Sequence, residues 1–126
     1  MKKLVLVVED NDEIRELFTL ALEPHCQEVL PFSGAREALA YLKSALTLPD
    51  LALVDLMMPE MSGLDFVRAL KSDPRLKKIF VVICSGTTDL PNIQAEIGAD
   101  GHLRKPVNLV ELEQLCLDVE PLQHSA

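Results

Sequence analysis

Three runs in the chain, LVLVV at 4–8, LALVD at 51–55 and IFVVIC at 79–84, are apolar at almost every position. A strand with one wet face alternates apolar and polar residues, so runs without alternation belong in a sheet covered on both faces. Segments of helical period separate them. From 12 to 22, Ile14, Leu17, Phe18 and Ala21 share one helix face, and Pro24 closes the helix. EVLPF at 28–32 is a weaker strand whose Pro31 belongs at a sheet edge.

Ser33 is the expected cap of a second helix carrying Ala38, Leu39, Leu42 and Ala45. Leu64, Val67 and Leu70 mark a third, stopping before Pro74. A poor helix signal with Pro91 near its start and Ile93 and Ile97 as apolar points ends at Gly98. GHLR at 101–104 is a short fifth strand, and Asn108 with Glu111 predicts a capping box for a last helix bearing Leu109, Leu112, Leu115 and Cys116.

Five strand–helix units in series imply a parallel α/β sheet with helices on both faces, because right-handed crossovers permit little else. The expected strand order is 2-1-3-4-5, and a functional crevice lies beyond the carboxyl ends of strands 1 and 3, where that order reverses.

The 126 residues suit one domain able to bury a core without disulfides or structural metal. The 48% apolar and 25% charged residues are globular values that argue against disorder. A formal charge of −8 argues against a nucleic-acid surface and toward protein partners. The apolar run after MKK stops at Val8, too short for a signal peptide or a membrane span, so a cytoplasmic protein is expected. Cys26, Cys84 and Cys116 are odd in number and lack C-x-x-C spacing, which predicts buried free thiols.

Acids gather at the expected crevice. Glu9 and Asp10 follow the first strand and Asp55 ends the third. Two carboxylates about 4 Å apart repel by roughly 4 kcal/mol at an effective dielectric near 20, so such a group is either solvated or holds a cation. Asp10 alone could be a helix cap, but Asp55, followed by LMMP, has no helix start to cap. An oxygen-only set suits Mg²⁺, with Mn²⁺ also acceptable.

These residues resemble the receiver domain of two-component response regulators, of the single-domain kind found in chemotaxis and sporulation. VVEDN at 7–11, LVDLMMPEMSGLDF at 53–66, VICSG at 82–86 and GADGHLRKP at 98–106 carry the resemblance across nearly the whole chain. It implies a flavodoxin-like (βα)5 doubly wound fold. It also implies that Asp55 accepts a phosphoryl group from a phosphohistidine of a histidine kinase or histidine phosphotransfer protein. Glu9, Asp10, Asp55 and the Met57 backbone carbonyl would hold the metal, Ser85 would bond the phosphoryl oxygens, and Lys105 would stand beside them before a cis Pro106. The chemistry agrees, since joining two anions requires positive charge at the equatorial oxygens. Taken singly, Lys105 reads first as a surface lysine, a preference that the following Pro and the preceding strand reverse, and Ser85 reads equally as a turn hydroxyl before Gly86.

The chain departs from the family pattern at three places. His102 stands where many receivers carry a Tyr or Phe switch, so either a switch that titrates near pH 6.5 or a surface histidine is expected. The 85–98 stretch is about two residues shorter than usual, predicting a short fourth helix and weakening the usual docking face of helix 4, strand 5 and helix 5. Met57 and Thr87 occupy the positions that tune dephosphorylation, and Met57, lacking an acid or amide to orient water, predicts slow hydrolysis.

A haloacid-dehalogenase-type phosphatase would need an acid at Met57, and a flavodoxin-like cofactor site would need hydroxyls and glycine in place of EDND. A receiver fold that serves only as an interaction module, without phosphate, is the remaining alternative. With the last helix ending near Leu117 and only DVEPLQHSA after it, a single receiver domain over 1–126 without an effector domain is expected, its output going through a protein partner.

Overall fold

A computed structural model describes residues 3–122; positions 1 and 2 and the last four residues of the DVEPLQHSA tail lie outside the described residues. The strands are β1 (Leu4–Val8), β2 (Glu28–Phe32), β3 (Leu51–Asp55), β4 (Phe80–Ser85) and β5 (Gly101–Arg104). Between and after them run α1 (Asp12–Leu22), α2 (Ala35–Ser44), α3 (Gly63–Ser72), α4 (Leu90–Ile97) and α5 (Leu109–Asp118). All pairings are parallel and the order is β2-β1-β3-β4-β5. The fold is thus the flavodoxin-like (βα)5 arrangement that the strand pattern implies.

Strand alternation divides the core into two layers. Leu6, Val8, Ala52, Val54, Val81 and Ile83 face the layer shared with α2 and α3. Val5, Val7, Leu51, Leu53 and Val82 face the layer with Phe18 and Leu22 of α1 and Leu112 and Cys116 of α5. The central strands β1, β3 and β4 are buried along almost their full length, which explains their lack of polar alternation. At about 25 cal/mol per Å² of apolar area removed from water, this two-sided burial drives the fold.

Several local expectations shift. The α2 cap is Gly34, not Ser33, and makes no side-chain cap bond. Asn108 accepts the N–H groups of Val110 and Glu111, but Glu111 is exposed and no reciprocal bond closes a capping box. Leu17 is half exposed, because the apolar stripe of α1 is wider than its contact with the sheet, whereas Phe18 and Leu22 are buried. Cys84 and Cys116 are buried as expected, but Cys26 is only partly so, its Sγ lying 3.1 Å from the Leu22 carbonyl just after a 3-10 turn. At eight residues α4 is the shortest of the five α-helices, and Gly98 ends it at φ 77°, a left-handed conformation natural to glycine.

Candidate functional site

Register places the chemistry. β1 and β3 pair up to Val8↔Val54, so Glu9 and Asp55 leave the sheet side by side. Val7 and Leu53 face the α1 layer, and two-residue alternation sends Glu9 and Asp55 toward that side. β4 and β5 end at Ser85↔Arg104, which brings Ser85 and the following Lys105 to the same end of the sheet. Glu9, Asp10, Asn11, Ile14, Asp55, Met57, Ser85, Gly86 and Lys105 line a cleft of about 330 Å³ there.

The carboxylates of Glu9, Asp10 and Asp55 offer oxygens within 4.8 Å of one another. Glu9 is 2% and Asp55 5% exposed, whereas Asp10 is exposed at the rim. Asp10 makes no cap: Asn11 caps α1, its side chain accepting the Ile14 N–H at 2.9 Å. The remaining polar groups hold the acidic loop in place. The Asn11 N–H donates to Glu9 Oε2 at 3.3 Å, the Arg15 guanidinium donates to the Glu9 carbonyl at 2.8 Å, and the Met57 N–H donates to Asp55 Oδ1 at 3.3 Å.

One ammonium serves the two buried acids. Lys105 Nζ lies 3.1 Å from Glu9 Oε1 and 3.3 Å from Asp55 Oδ1, and the Lys105–Pro106 peptide is cis. Glu9 Oε1 is buried yet receives no well-aligned hydrogen bond. Burial, reinforced by Asp55, pushes the Glu9 carboxyl above its ordinary value. Burial also raises Asp55, against the pull of Lys105. Burial alone would lower Lys105, but the two carboxylates outweigh it and hold the ammonium above 10.5. An orphaned buried oxygen, oxygen donors only, and an excess of acid over base fit a hard divalent cation.

Ser85 is 5% exposed, and its Oγ accepts the Thr87 N–H at 3.3 Å. Thr87 itself is not among the cleft's lining residues. His102 is exposed on β5, its Nδ1 2.5 Å from Gln94 Oε1 of α4 and outside the cleft.

Sequence reasoning missed Gly63. A Cβ there would fall on the Asp55 carbonyl oxygen and 2.7 Å from Leu56 Cα, and the Gly63 N–H donates to the Leu56 carbonyl at 3.1 Å. The end of β3 therefore turns back against the start of α3 with no room for a side chain. A glycine at a helix start behind Ser62, the side-chain cap, was the available signal.

Residues 5–116 match the response regulator receiver domain. The chain belongs to that family. Among its relatives is a probable transcriptional regulatory protein of Picosynechococcus sp., 34% identical over 91% of this chain and 48% of that protein. Another is the alkaline phosphatase synthesis transcriptional regulatory protein of Synechococcus elongatus, 34% identical over 89% of this chain and 46% of that protein. This receiver thus spans about half the length of the curated relatives it matches. A chemotaxis response regulator of Vibrio cholerae superposes with a TM-score of 0.85 at 29% identity, covering 95% of this chain and 100% of that one. The phosphorylated cyanobacterial phytochrome response regulator gives 0.79 at 31% identity, covering 92% and 89%. No helix among the described residues is long and apolar enough to cross a membrane.

Proposed function

We propose that the receiver takes a phosphoryl group onto Asp55 from a phosphohistidine of a histidine kinase or phosphotransfer protein, in the cytoplasm. In this reading the group changes the chain's docking to a downstream protein. The observation that carries the reading is the pairing of buried Asp55 and orphaned Glu9 around the single ammonium of Lys105. A solvated strand ending has no reason to bury two acids at the cost of raised pKa values.

An Asp55 carboxylate oxygen forms the new O–P bond as the P–N bond to the imidazole breaks, and the imidazole nitrogen keeps the bonding electron pair. Lys105, already beside Asp55, neutralises charge developing on the phosphoryl oxygens. The Ser85 hydroxyl donates to one of those oxygens, leaving its present role as acceptor for Thr87. Glu9, Asp10, Asp55 and the Met57 carbonyl would hold Mg²⁺, which supplies the further positive charge that phosphoryl transfer between anions requires. Ile14 and Lys105 line both this cleft and the neighbouring apolar groove with Leu17, Phe18 and Pro106, so a donor docked on that groove would reach the cleft beside Ile14.

Output is read through α4, β5 and α5, where the His102–Gln94 contact ties β5 to α4. His102 is the reporter there of a change at Ser85. The group on Asp55 acts by shifting a two-state equilibrium, which needs several kcal/mol of differential contact for a large shift.

Intact mass after incubation with Mg²⁺ and acetyl phosphate or phosphoramidate tests the reading. A gain of one phosphoryl group that requires both the metal and Asp55, and is lost in Asp55→Asn, is expected. A folded protein that gains nothing under any condition would leave an interaction module that does not use phosphate.

A further inference from the structure

We propose that Met57 is an oxidation site whose sulfoxide shortens the life of the acyl phosphate on Asp55, so that a hydroperoxide acts as a second input to this domain. The lifetime half of the proposal rests on the phosphoacceptor reading above; the oxidation half does not.

Position singles out Met57. It is 76% exposed and lines the cleft, whereas Asp55 at 5% exposure forms the floor. Its N–H is bonded to Asp55 Oδ1, which ties its backbone to the acceptor. Met58 and Met61 are partly buried against the α2–α3 core, so among the described methionines Met57 is the one a soluble oxidant meets first.

The thiols offer weak competition. Burial pushes Cys84 up to about 12 and Cys26 up to about 11, and it raises Cys116. At neutral pH these are thiols, and the thiolate is the form that reacts quickly with peroxide.

In the oxidation the thioether sulfur attacks a hydroperoxide oxygen. An S–O bond forms as the O–O bond breaks, the sulfur loses two electrons, and the peroxide is reduced to water or an alcohol. The product replaces a weak acceptor with a strong one at the solvent side of the cleft. Hydrolysis of the acyl phosphate requires water to attack phosphorus from solvent, forming a new P–O bond as the bond to Asp55 breaks. A thioether cannot orient that water, whereas a sulfoxide oxygen accepts its hydrogen. Sulfoxide reduction would restore the slow state.

The test has two arms. Peptide mass mapping during hydrogen peroxide treatment reads which residue gains oxygen first. The phosphorylated protein, oxidised and not, is then freed of donor and followed by intact mass. Met57 is expected to take the first oxygen, and oxidised protein to lose its phosphoryl group roughly tenfold faster, below the ~10²-fold of a fully positioned base. Met57→Gln, with a polar oxygen at similar reach, should be faster than untreated wild type without peroxide. Met57→Leu, whatever its own rate, should keep that rate after peroxide. First oxidation at Met1, Met58, Met61 or a cysteine overturns the site assignment. Equal lifetimes for oxidised and untreated protein, or an equal peroxide response in Met57→Leu, overturn the regulatory role. Failure of untreated wild type to gain any phosphoryl group sinks the phosphoacceptor reading and the lifetime effect together, and the mapping arm then still decides the oxidation site.

Discussion

The two ends of the sheet each hold buried acid and a lysine, and they treat them in opposite ways. At the amino end Asp50, 3% exposed, accepts the Leu4 N–H at 2.8 Å and the Leu122 N–H at 2.5 Å. Lys3, 8% exposed, donates to the Cys116 and Leu117 carbonyls at the last turn of α5. Each charge there meets backbone dipoles of opposite sense, which satisfies it locally. At the carboxyl end three carboxylates gather, two of them share one ammonium, and Glu9 Oε1 has no aligned donor. A buried charge matched by the fold serves stability, and one left unmatched is available for a ligand.

That contrast can be broken by mutation. Asp50→Ala, which strands two N–H groups, should cost about 3 kcal/mol in urea unfolding; a cost near zero would show that the amino end is not closed by this carboxylate. Gly63→Ala should cost about 2 kcal/mol by forcing the Asp55 backbone away from α3, and Mg²⁺ affinity measured by thermal shift should fall with it.

Asp55→Asn should act in the other direction, stabilising the metal-free protein at pH 7 by on the order of 1 kcal/mol, because it removes a desolvated charge beside Glu9. Mg²⁺ at ten times its dissociation constant would stabilise wild type by about 1.4 kcal/mol and close that gap. A variant less stable than wild type in both conditions would make Asp55 a structural acid like Asp50.

The sign of the pH dependence follows from the raised carboxyls. Glu9 and Asp55 bind protons more tightly folded than unfolded, so metal-free stability should fall as pH climbs from their ordinary values of 4.5 and 3.8 through the raised ones. The Lys105 contribution is complete below 10.5 and is lost as pH passes its raised folded value. Urea midpoints across pH 4 to 8 should therefore slope more steeply in wild type than in Asp55→Asn. The smallest effect belongs to Glu60, which holds φ 64° in the loop before α3. Glu60→Gly should stabilise by about 0.5–1 kcal/mol by relieving a left-handed conformation, with no change in metal affinity.

The carboxyl end was far more legible in the sequence than the amino end. Glu9, Asp10, Asp55 and Ser85 each follow or end an apolar run, and Lys105 follows the short GHLR strand, so a parallel sheet brings them together once the strand order is known. Asp50 and Lys3 could not be found this way, because their partners are backbone groups contributed by distant parts of the chain. β4 was displaced by one residue because apolar character alone does not separate Ile79 from the strand, although Ile79 is buried. Cys26 was misplaced because type predicts burial and a 3-10 turn decides it. Gly63 carries no chemistry of its own, and its importance lies in what its absent side chain would strike.

The interleaved strand order also has a consequence for how the domain is made. β1 lies between β2 and β3, so the first 55 residues can already set Glu9 beside Asp55. Lys105 follows β5, the last strand to leave the ribosome. The nascent chain thus assembles mutually repelling groups long before it produces their counter-charge, and its amino-terminal half is left incomplete until the sheet's far edge is in place. The acidic cleft is then also a contact that joins the first half of the domain to the last.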